Sequence, residues 1–201
     1  NIKNTLFMIQ ETGISVIPFN ERVASAKDTA GEIYIGQADI LSQYVGSYSE
    51  RYCTQFQFAC IPTNDNLYVL DLNNFKIICL TPERGIEYVS DLKLESFMRR
   101  YLSTFINGDT DITNLDIVGH DHTSVHKEVV WTFYDKSRPE KMKNISLAYN
   151  IALKQFTSFY SMIPYQTFNL AGVQYGLNVE NNSHQIHSLN TNLVRNLIFG
   201  E

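Results

Sequence analysis

Short runs of apolar and β-branched residues, separated by turn residues, dominate the first half of the chain. Such runs are typical of strands. Turn residues separate the run at 6–9 from that at 14–19, and the run at 52–61 from that at 67–70, so two hairpins are predicted. The pattern as a whole predicts strands at residues 6–9, 14–19, 32–36, 52–61, 67–70 and 75–80.

Apolar residues at helical spacing predict helices elsewhere in the chain. The clearest pattern covers residues 92–106, and similar spacing covers residues 145–160 and 186–198. A shorter helix is predicted at residues 38–45. Because strands and helices do not alternate strictly, the predicted fold class is α+β. We expect a mixed, mainly antiparallel, split β-sheet core with three amphipathic helices packed on it.

The densest chemistry of the chain lies in residues 115–135. Three of the five histidines, several acids and the only tryptophan fall there. Residues 128–134 are β-branched and aromatic and predict a buried strand, and the polar residues 119–124 predict a turn that leads into it. Side chains alternate along a strand, so the bulky aromatic residues are expected to face the core and Glu128 the opposite side.

Composition limits the class of protein. The 201 residues are 44% hydrophobic and 18% charged, so residues 1–201 are expected to form a single globular domain. The net charge of −5, with scattered lysines and arginines, argues against a nucleic-acid partner. No apolar run approaches the roughly 20 residues that a membrane span needs. Because the chain starts at Asn1 instead of Met, we expect it to be a piece of a longer or processed protein.

The cysteines indicate a reducing compartment. Cys53, Cys60 and Cys79 are odd in number and lie in apolar, strand-like contexts. They are therefore expected to be reduced core residues, not members of a disulfide framework. A cytoplasmic location, including the inside of a host cell, is predicted.

A metal site is one interpretation of the histidine cluster. His120 and His122 would lie on the same side of an extended segment, with His126 close behind. Asp121 and Glu128 could add oxygen ligands for an ion such as zinc. The spacing matches no established metal motif, so histidines at a surface loop are favoured and no metal is expected. A metal-dependent hydrolase remains as an alternative function.

The order of the predicted elements suggests a family. That order is a strand at 32–36, a helix of pattern Ala38-x-x-Leu41-x-x-Tyr44, a hairpin ending at 67–72, and a strand starting His126-Lys-Glu128-Val-Val130. It resembles the ADP-ribosyltransferase-like domains, the NAD-binding superfamily of toxins and poly(ADP-ribose) polymerases. The resemblance covers roughly residues 6–135.

The resemblance implies an enzyme that binds NAD as a substrate and transfers or hydrolyses ADP-ribose. It implies that Glu128 orients the ribose, with His126 beside it as the second catalytic candidate. The implied partners are a small-molecule nucleotide and a protein acceptor. The implied NAD-binding residues are Tyr34, which would support the nicotinamide, Gly36, Arg22 and Tyr44.

A non-enzymatic assembly protein, for instance a viral or particle-forming component, is the alternative from another class. The chain is rich in tyrosine, phenylalanine and asparagine and lacks a complete catalytic signature. Its oligomeric state is left open, and self-assembly is compatible with the composition. A concave pocket containing Glu128, with Tyr34 on its wall, would favour the enzyme. A filled core with a broad aromatic face would favour assembly.

Overall fold

The computed structural model is built almost wholly from small antiparallel sheets. It describes residues 5–18, 25–26, 33–34, 46–82, 84–90, 94–106, 114–124, 126–136, 144–160, 162–180 and 183–189. Within these ranges there are sixteen strands and one helix, α1 (Glu95–Ile106). The strands are β1 (Thr5–Ile9), β2 (Ile14–Pro18), β3 (Ser25–Ala26), β4 (Ile33–Tyr34), β5 (Gly46–Ser49), β6 (Cys60–Pro62), β7 (Leu67–Asp71), β8 (Lys76–Thr81), β9 (Gly85–Tyr88), β10 (Leu115–His122), β11 (Glu128–Asp135), β12 (Ile145–Asn150), β13 (Gln155–Tyr160), β14 (Gln166–Leu170), β15 (Val173–Glu180) and β16 (Ser183–Leu189).

Sheet topology is simple because most neighbouring strands follow each other in the chain. The sheets have the orders β1-β2-β5, β3-β4, β6-β7-β8-β9, β10-β11-β12-β13 and β14-β15-β16. The hairpins predicted for β1 with β2 and for β6 with β7 are confirmed, as are the strands β8 and β11. The predicted strand at 52–61 is wrong for most of its length, because only its end belongs to β6. The helix predicted at 38–45 lies outside the described residues.

The predicted α+β class is wrong, because two of its three helices are strands where the structure describes them. Residues 145–160 form the hairpin of β12 and β13, and β16 occupies 183–189, where the last helix was predicted to begin. Lys154 in the β12–β13 turn has φ of 51°, a left-handed conformation that a continuous helix does not allow. In the same turn the Asn150 side chain accepts a hydrogen bond from the Leu153 amide at 2.9 Å.

The helix predicted at 92–106 is confirmed as α1. Glu95 in its first turn pairs with Arg99 one turn later at 3.1 Å. Met98 is fully buried, and Phe97 and Tyr101 pack against the main core. In the described part of the chain, α1 is too short and too polar to cross a membrane. That residues 1–201 form one domain stays a prediction.

The hairpin of β7 and β8 is buried on both of its faces. Leu67 and Val69 of β7 contribute to one apolar cluster, together with Ile14 of β2. The alternate residues Tyr68 and Leu70 contribute to the other cluster, together with β10, β11 and α1. The sheet containing β7 and β8 therefore lies between the β1-β2-β5 sheet and the β10–β13 sheet, and it contacts both through successive residues of the same strands.

The inner face of β11 supplies the largest side chains of the core. Val129, Trp131 and Phe133 are fully buried, as the alternation along this strand predicts. The indole nitrogen of Trp131 donates a hydrogen bond to the carbonyl of Ala59 at 3.2 Å. The opposite face of β11 carries Glu128 and Thr132, both of them buried.

Gly119 on β10 allows the β10–β13 sheet to approach the segment before β6. Its amide donates to the carbonyl of Phe58 at 2.7 Å. A Cβ at this position would overlap Cγ1 of Ile61 and would lie 2.9 Å from Ile61 Cδ1 and 3.3 Å from the Phe58 oxygen. Because Ile61 is buried, it has no free space into which to move. The contact between the two sheets therefore requires glycine at 119.

We predict that Gly119→Ala lowers the free energy of unfolding by about 1–3 kcal/mol through overpacking. Urea denaturation measures the change. In an Ile61→Ala background the alanine fills vacated space, so its cost should fall to less than half. Gly46→Ala is the control, since its Cβ would meet only the Val16 oxygen at 3.9 Å. Equal losses for Gly119→Ala in both backgrounds would show that Ile61 is not the source of the overlap.

Candidate functional site

The histidine-rich stretch forms the hairpin of β10 and β11, with its turn at residues 123–127. The predicted turn at 119–124 is wrong in its first half, because β10 continues to His122. The Asp121 carboxylate accepts the Thr123 amide at 2.8 Å, and the His126 amide donates to the His122 carbonyl at 2.9 Å. His120 and His122 therefore lie on a strand, and both are buried.

His120 belongs to a chain of hydrogen bonds across the outer face of the β10–β13 sheet. Its Nε2 lies 3.0 Å from the hydroxyl of Thr132, and that hydroxyl lies 2.8 Å from the hydroxyl of Ser146. Ser146 in turn donates to the carbonyl of Met162 at 2.6 Å. Burial and the neighbouring His122 lower the pKa of His120 to about 3. The ring is neutral at pH 7. The chain of hydrogen bonds links β10, β11 and β12 to the segment at Met162.

His122 lies next to His120 along the same face, with the ring centroids 6.1 Å apart. Burial lowers the pKa of His122 to about 4, and His126 adds to the effect, while Glu128 and Asp121 act in the opposite direction. Within the described part of the chain, its Nε2 is buried without a hydrogen-bond partner. His122 is thus also a neutral side chain of the interior.

Glu128 is directly opposite His122 in the β10–β11 register. Its carboxylate is buried, with 8% of the residue exposed. Thr157 donates to one carboxylate oxygen at 3.0 Å, and Tyr160 donates to the other at 2.8 Å. Burial, together with the bond to Glu128, raises the pKa of Tyr160 to about 12, so the phenol keeps its proton and donates. Both carboxylate oxygens are therefore bonded within the protein.

A β-bulge in β13 makes this arrangement. Ala148 pairs with Ser158 and Tyr149 pairs with Phe156, so Thr157 is an extra residue between the two pairs. The extra residue disturbs the alternation and directs the Thr157 hydroxyl to the face that carries Glu128. The sequence contains no signal that would locate this bulge.

The remaining candidates are only partly placed. His126 is half-buried in the β10–β11 turn, near His122 and Glu128. The backbone of Tyr34 lies in β4, paired with Ser25. Gly36, Arg22 and Tyr44 lie outside the described residues. The structure therefore brings Glu128, His122 and His126 together, whereas the predicted NAD-binding set stays untested. Among the described residues, no group of three or more His, Cys, Asp or Glu side chains is arranged to hold a metal ion.

A cleft of about 390 Å³ opens on the same face of β10 and β11, away from Glu128. Apolar and aromatic side chains make up most of its wall, and an ion pair of Lys136 with Asp116, 2.9 Å long, lies along it. Its main apolar residues are Val118, Tyr134, Ile163, Pro164, Tyr165 and Leu177. Glu128 does not line this cleft. The cleft is therefore not the concave pocket containing Glu128 that would favour an enzyme.

Sequence reasoning missed an apolar surface on the β14-β15-β16 sheet. Residues that pair directly in an antiparallel sheet share a face. Phe168 pairs with Tyr175, and their rings stack with centroids 5.4 Å apart. Leu170 and Ile186 lie on the same face by register and are 62% and 63% exposed. We call this the β14–β16 face; its apolar residues are Phe168, Leu170, Val173, Tyr175, Leu177 and Ile186.

Comparison with known proteins overturns the predicted family. The model of the family described as Crassvirus muzzle protein matches residues 1–178 of the 201. No curated protein matches the chain. The match includes the whole region on which the ADP-ribosyltransferase resemblance rested. That resemblance is therefore wrong, and so is the function of transferring or hydrolysing ADP-ribose that it implied. The order of a strand, a short helix, a hairpin and a strand starting His126-Lys-Glu128 was too general a pattern to identify a family.

The alternative prediction, a non-enzymatic component of a viral particle, agrees with this match. The family model covers all of the core described above, from β1 through β14 and most of β15. Its coverage far exceeds half of the chain. The chain belongs to the Crassvirus muzzle protein family and is a structural component of a viral particle.

Proposed function

We propose that the chain is a non-enzymatic building unit of the particle of a crAss-like phage, joined to neighbouring phage proteins through the β14–β16 face. The family match is the observation that carries the structural role. The exposed apolar residues of the last sheet supply the candidate for the joining surface.

The polar cluster around Glu128 has the properties of a structural network. A catalytic carboxylate needs access to a substrate, whereas both oxygens of Glu128 are occupied by Thr157 and Tyr160. His120 and His122 are buried and neutral, and His120 connects strands through Thr132. Such a network fixes how strands and connecting segments meet, because each buried polar group must keep its partner.

The β14–β16 face has the properties of a contact surface. Large apolar side chains exposed side by side on a sheet are uncommon on a monomer and mark sites of association. Aromatic residues such as Phe168 and Tyr175 are enriched in interfaces, because they bury much area at a low cost in conformational entropy. Burying Leu170 and Ile186 against a neighbour would stabilise the assembly by about 25 cal/mol per Å² of apolar area.

We further propose that the subunit folds and assembles in the reducing cytoplasm of the host cell. Cys53, Cys60 and Cys79 are all free thiols. Burial raises the pKa of each, for Cys60 to about 12. The thiols are therefore protonated at pH 7 and react slowly, so the fold does not depend on an oxidising compartment.

Leu170→Glu and Ile186→Glu should each reduce incorporation of the chain into particles at least about tenfold, because a charge would be buried in the contact. Tagged variants supplied in the infected host are quantified in purified particles. Both residues are exposed, so the free energy of unfolding should change by less than about 1 kcal/mol. Phe58→Glu is the control, at a position 57% exposed on another surface. Unchanged incorporation of both face variants would exclude this face as the contact.

Acid should destabilise the isolated chain through His122. Its pKa is about 4 in the folded protein and about 6.5 when unfolded, so the unfolded state binds more protons between these values. Stability therefore falls as the pH drops through this window, by about 2 kcal/mol between pH 7 and pH 5. Urea denaturation at pH 5, 6 and 7 measures the free energy of unfolding. Between pH 7 and pH 5, His122→Gln should lose about 2 kcal/mol less of it than wild type. Parallel profiles for wild type and variant would mean that His122 titrates normally in the fold.

Thiol titration of the denatured chain without reductant should find three thiols per chain. In the native chain the same reagent should react more slowly, because the thiolate fraction is lowered by burial. The measurement uses chain purified from the cytoplasm of an expression host. A count of one would reveal a disulfide and would contradict assembly in a reducing compartment.

A further inference from the structure

The outer edge of β13 is unpaired in the part of the chain that the structure describes. β13 is the last strand of the β10-β11-β12-β13 sheet, and in the described ranges no strand pairs with its other side. An edge strand presents a row of backbone N–H and C=O groups spaced to match another extended chain. This chemistry selects a strand as the partner, because only an extended backbone offers the complementary row.

β13 lacks the side chains that normally protect an exposed edge. Its sequence, Gln-Phe-Thr-Ser-Phe-Tyr, contains no charged residue and no proline. Edge strands commonly carry lysine, proline or inward-pointing charges to prevent pairing with other chains. The one irregularity, the bulge at Thr157, is accounted for by its internal bond to Glu128. The edge is therefore open to pairing and also rich in residues that favour strands.

A groove accompanies this edge. It has a volume of about 250 Å³ and lies between β13 and the start of α1. Leu94, Leu147 and Phe156 contribute apolar walls. Phe159 also lines it, packs edge-on against Phe97 and is still 54% exposed. A strand added beside β13 would place every second side chain on this side of the sheet, where an apolar one could occupy the groove.

The length of β13 decides what kind of partner fits. A stable interface between two free proteins buries about 1,200–2,000 Å² in total. Six residues of strand span only about 20 Å, which is too short to bury that area alone. The pairing therefore needs a partner already held nearby, as in an assembled particle, where the effective concentration is high.

We propose that the outer edge of β13 accepts an extended, uncharged strand of a neighbouring subunit in the particle, with an apolar side chain of that strand in the groove beside α1. The proposal rests on the structural role proposed above. It concerns backbone pairing at β13, separate from the side-chain contacts of the β14–β16 face.

Amide hydrogen exchange of residues 155–160 tests the pairing. In the isolated chain, about half of these amides point outward and should exchange fast. In purified particles the same amides should exchange about a hundredfold more slowly. Fast exchange in both samples would overturn the proposal. Slow exchange of all six in the isolated chain would also overturn it, because another part of this chain would then occupy the edge.

Two substitutions on the same hairpin separate edge pairing from a general contact. Phe159→Lys adds a charge on the edge strand and should lower incorporation into particles at least about tenfold. Leu153→Lys, in the turn before β13 and 61% exposed, should incorporate like wild type. Equal incorporation of both variants would overturn the edge proposal. The chain could enter particles with its β14–β16 amides protected from exchange and its β13 amides unprotected. In that case the proposed function stands and only this inference fails. Absence of the chain from particles overturns both.

Discussion

Burial of β7 and β8 on both faces is the constraint on which the rest of the structure depends. Successive residues of these strands enter different apolar clusters, so one hairpin determines the position of the sheets on either side. A shift of one residue in its register would exchange the two sets of side chains and disrupt both clusters at once. Small sheets are marginally stable alone. Here the β1-β2-β5 sheet and the β10–β13 sheet both pack on this hairpin, so the packing of each depends on the same two strands.

The β10–β13 sheet connects the central β7–β8 hairpin to the last part of the chain. Its inner face is fixed by Trp131 and Phe133 against the central hairpin. Its outer face carries a polar network, and Ser146 connects that network to the carbonyl of Met162. Apolar packing tolerates small rearrangements, whereas a buried hydrogen-bond chain has one geometry in which every member is satisfied. The outer network thus fixes where the segment leading to the last sheet begins.

The sequence predicted elements correctly where the spacing of its apolar residues fitted either a strand or a helix but not both. The two N-terminal runs and the β6–β7 pair are short and bounded by turn residues, which excludes helices. In α1 the apolar stripe is long enough to exclude a strand. Residues 145–160 fit both patterns, because β12 is buried on both faces and its apolar residues therefore do not alternate with exposed polar ones. The aromatic residues there, Tyr149, Phe156, Phe159 and Tyr160, favour strands, in agreement with the hairpin that forms.

In the candidate site, alternation along the strand predicts which face carries Glu128, whereas the burial of Glu128 depends on tertiary contacts. That Glu128 lies opposite the aromatic face of β11 follows from the two-residue period alone. Its burial depends on Thr157 and Tyr160, which reach it from β13 because of a bulge that no local sequence feature indicates. Assigning a charged residue to a role by its position on a strand therefore requires knowledge of the strands that cover it.

The ion pairs Glu95–Arg99 and Asp116–Lys136 are partly or fully exposed, and exposed pairs contribute at most about 1 kcal/mol each. Stability must then come from the stacked apolar clusters and the buried polar network. This division suits a particle subunit. The formal net charge of −5 makes separate chains repel one another in solution. The β14–β16 face and the uncharged β13 edge are the surfaces proposed to contact neighbouring subunits. As proposed, a partner that the particle already holds nearby has a high effective concentration, so short contacts such as the β13 edge can form there.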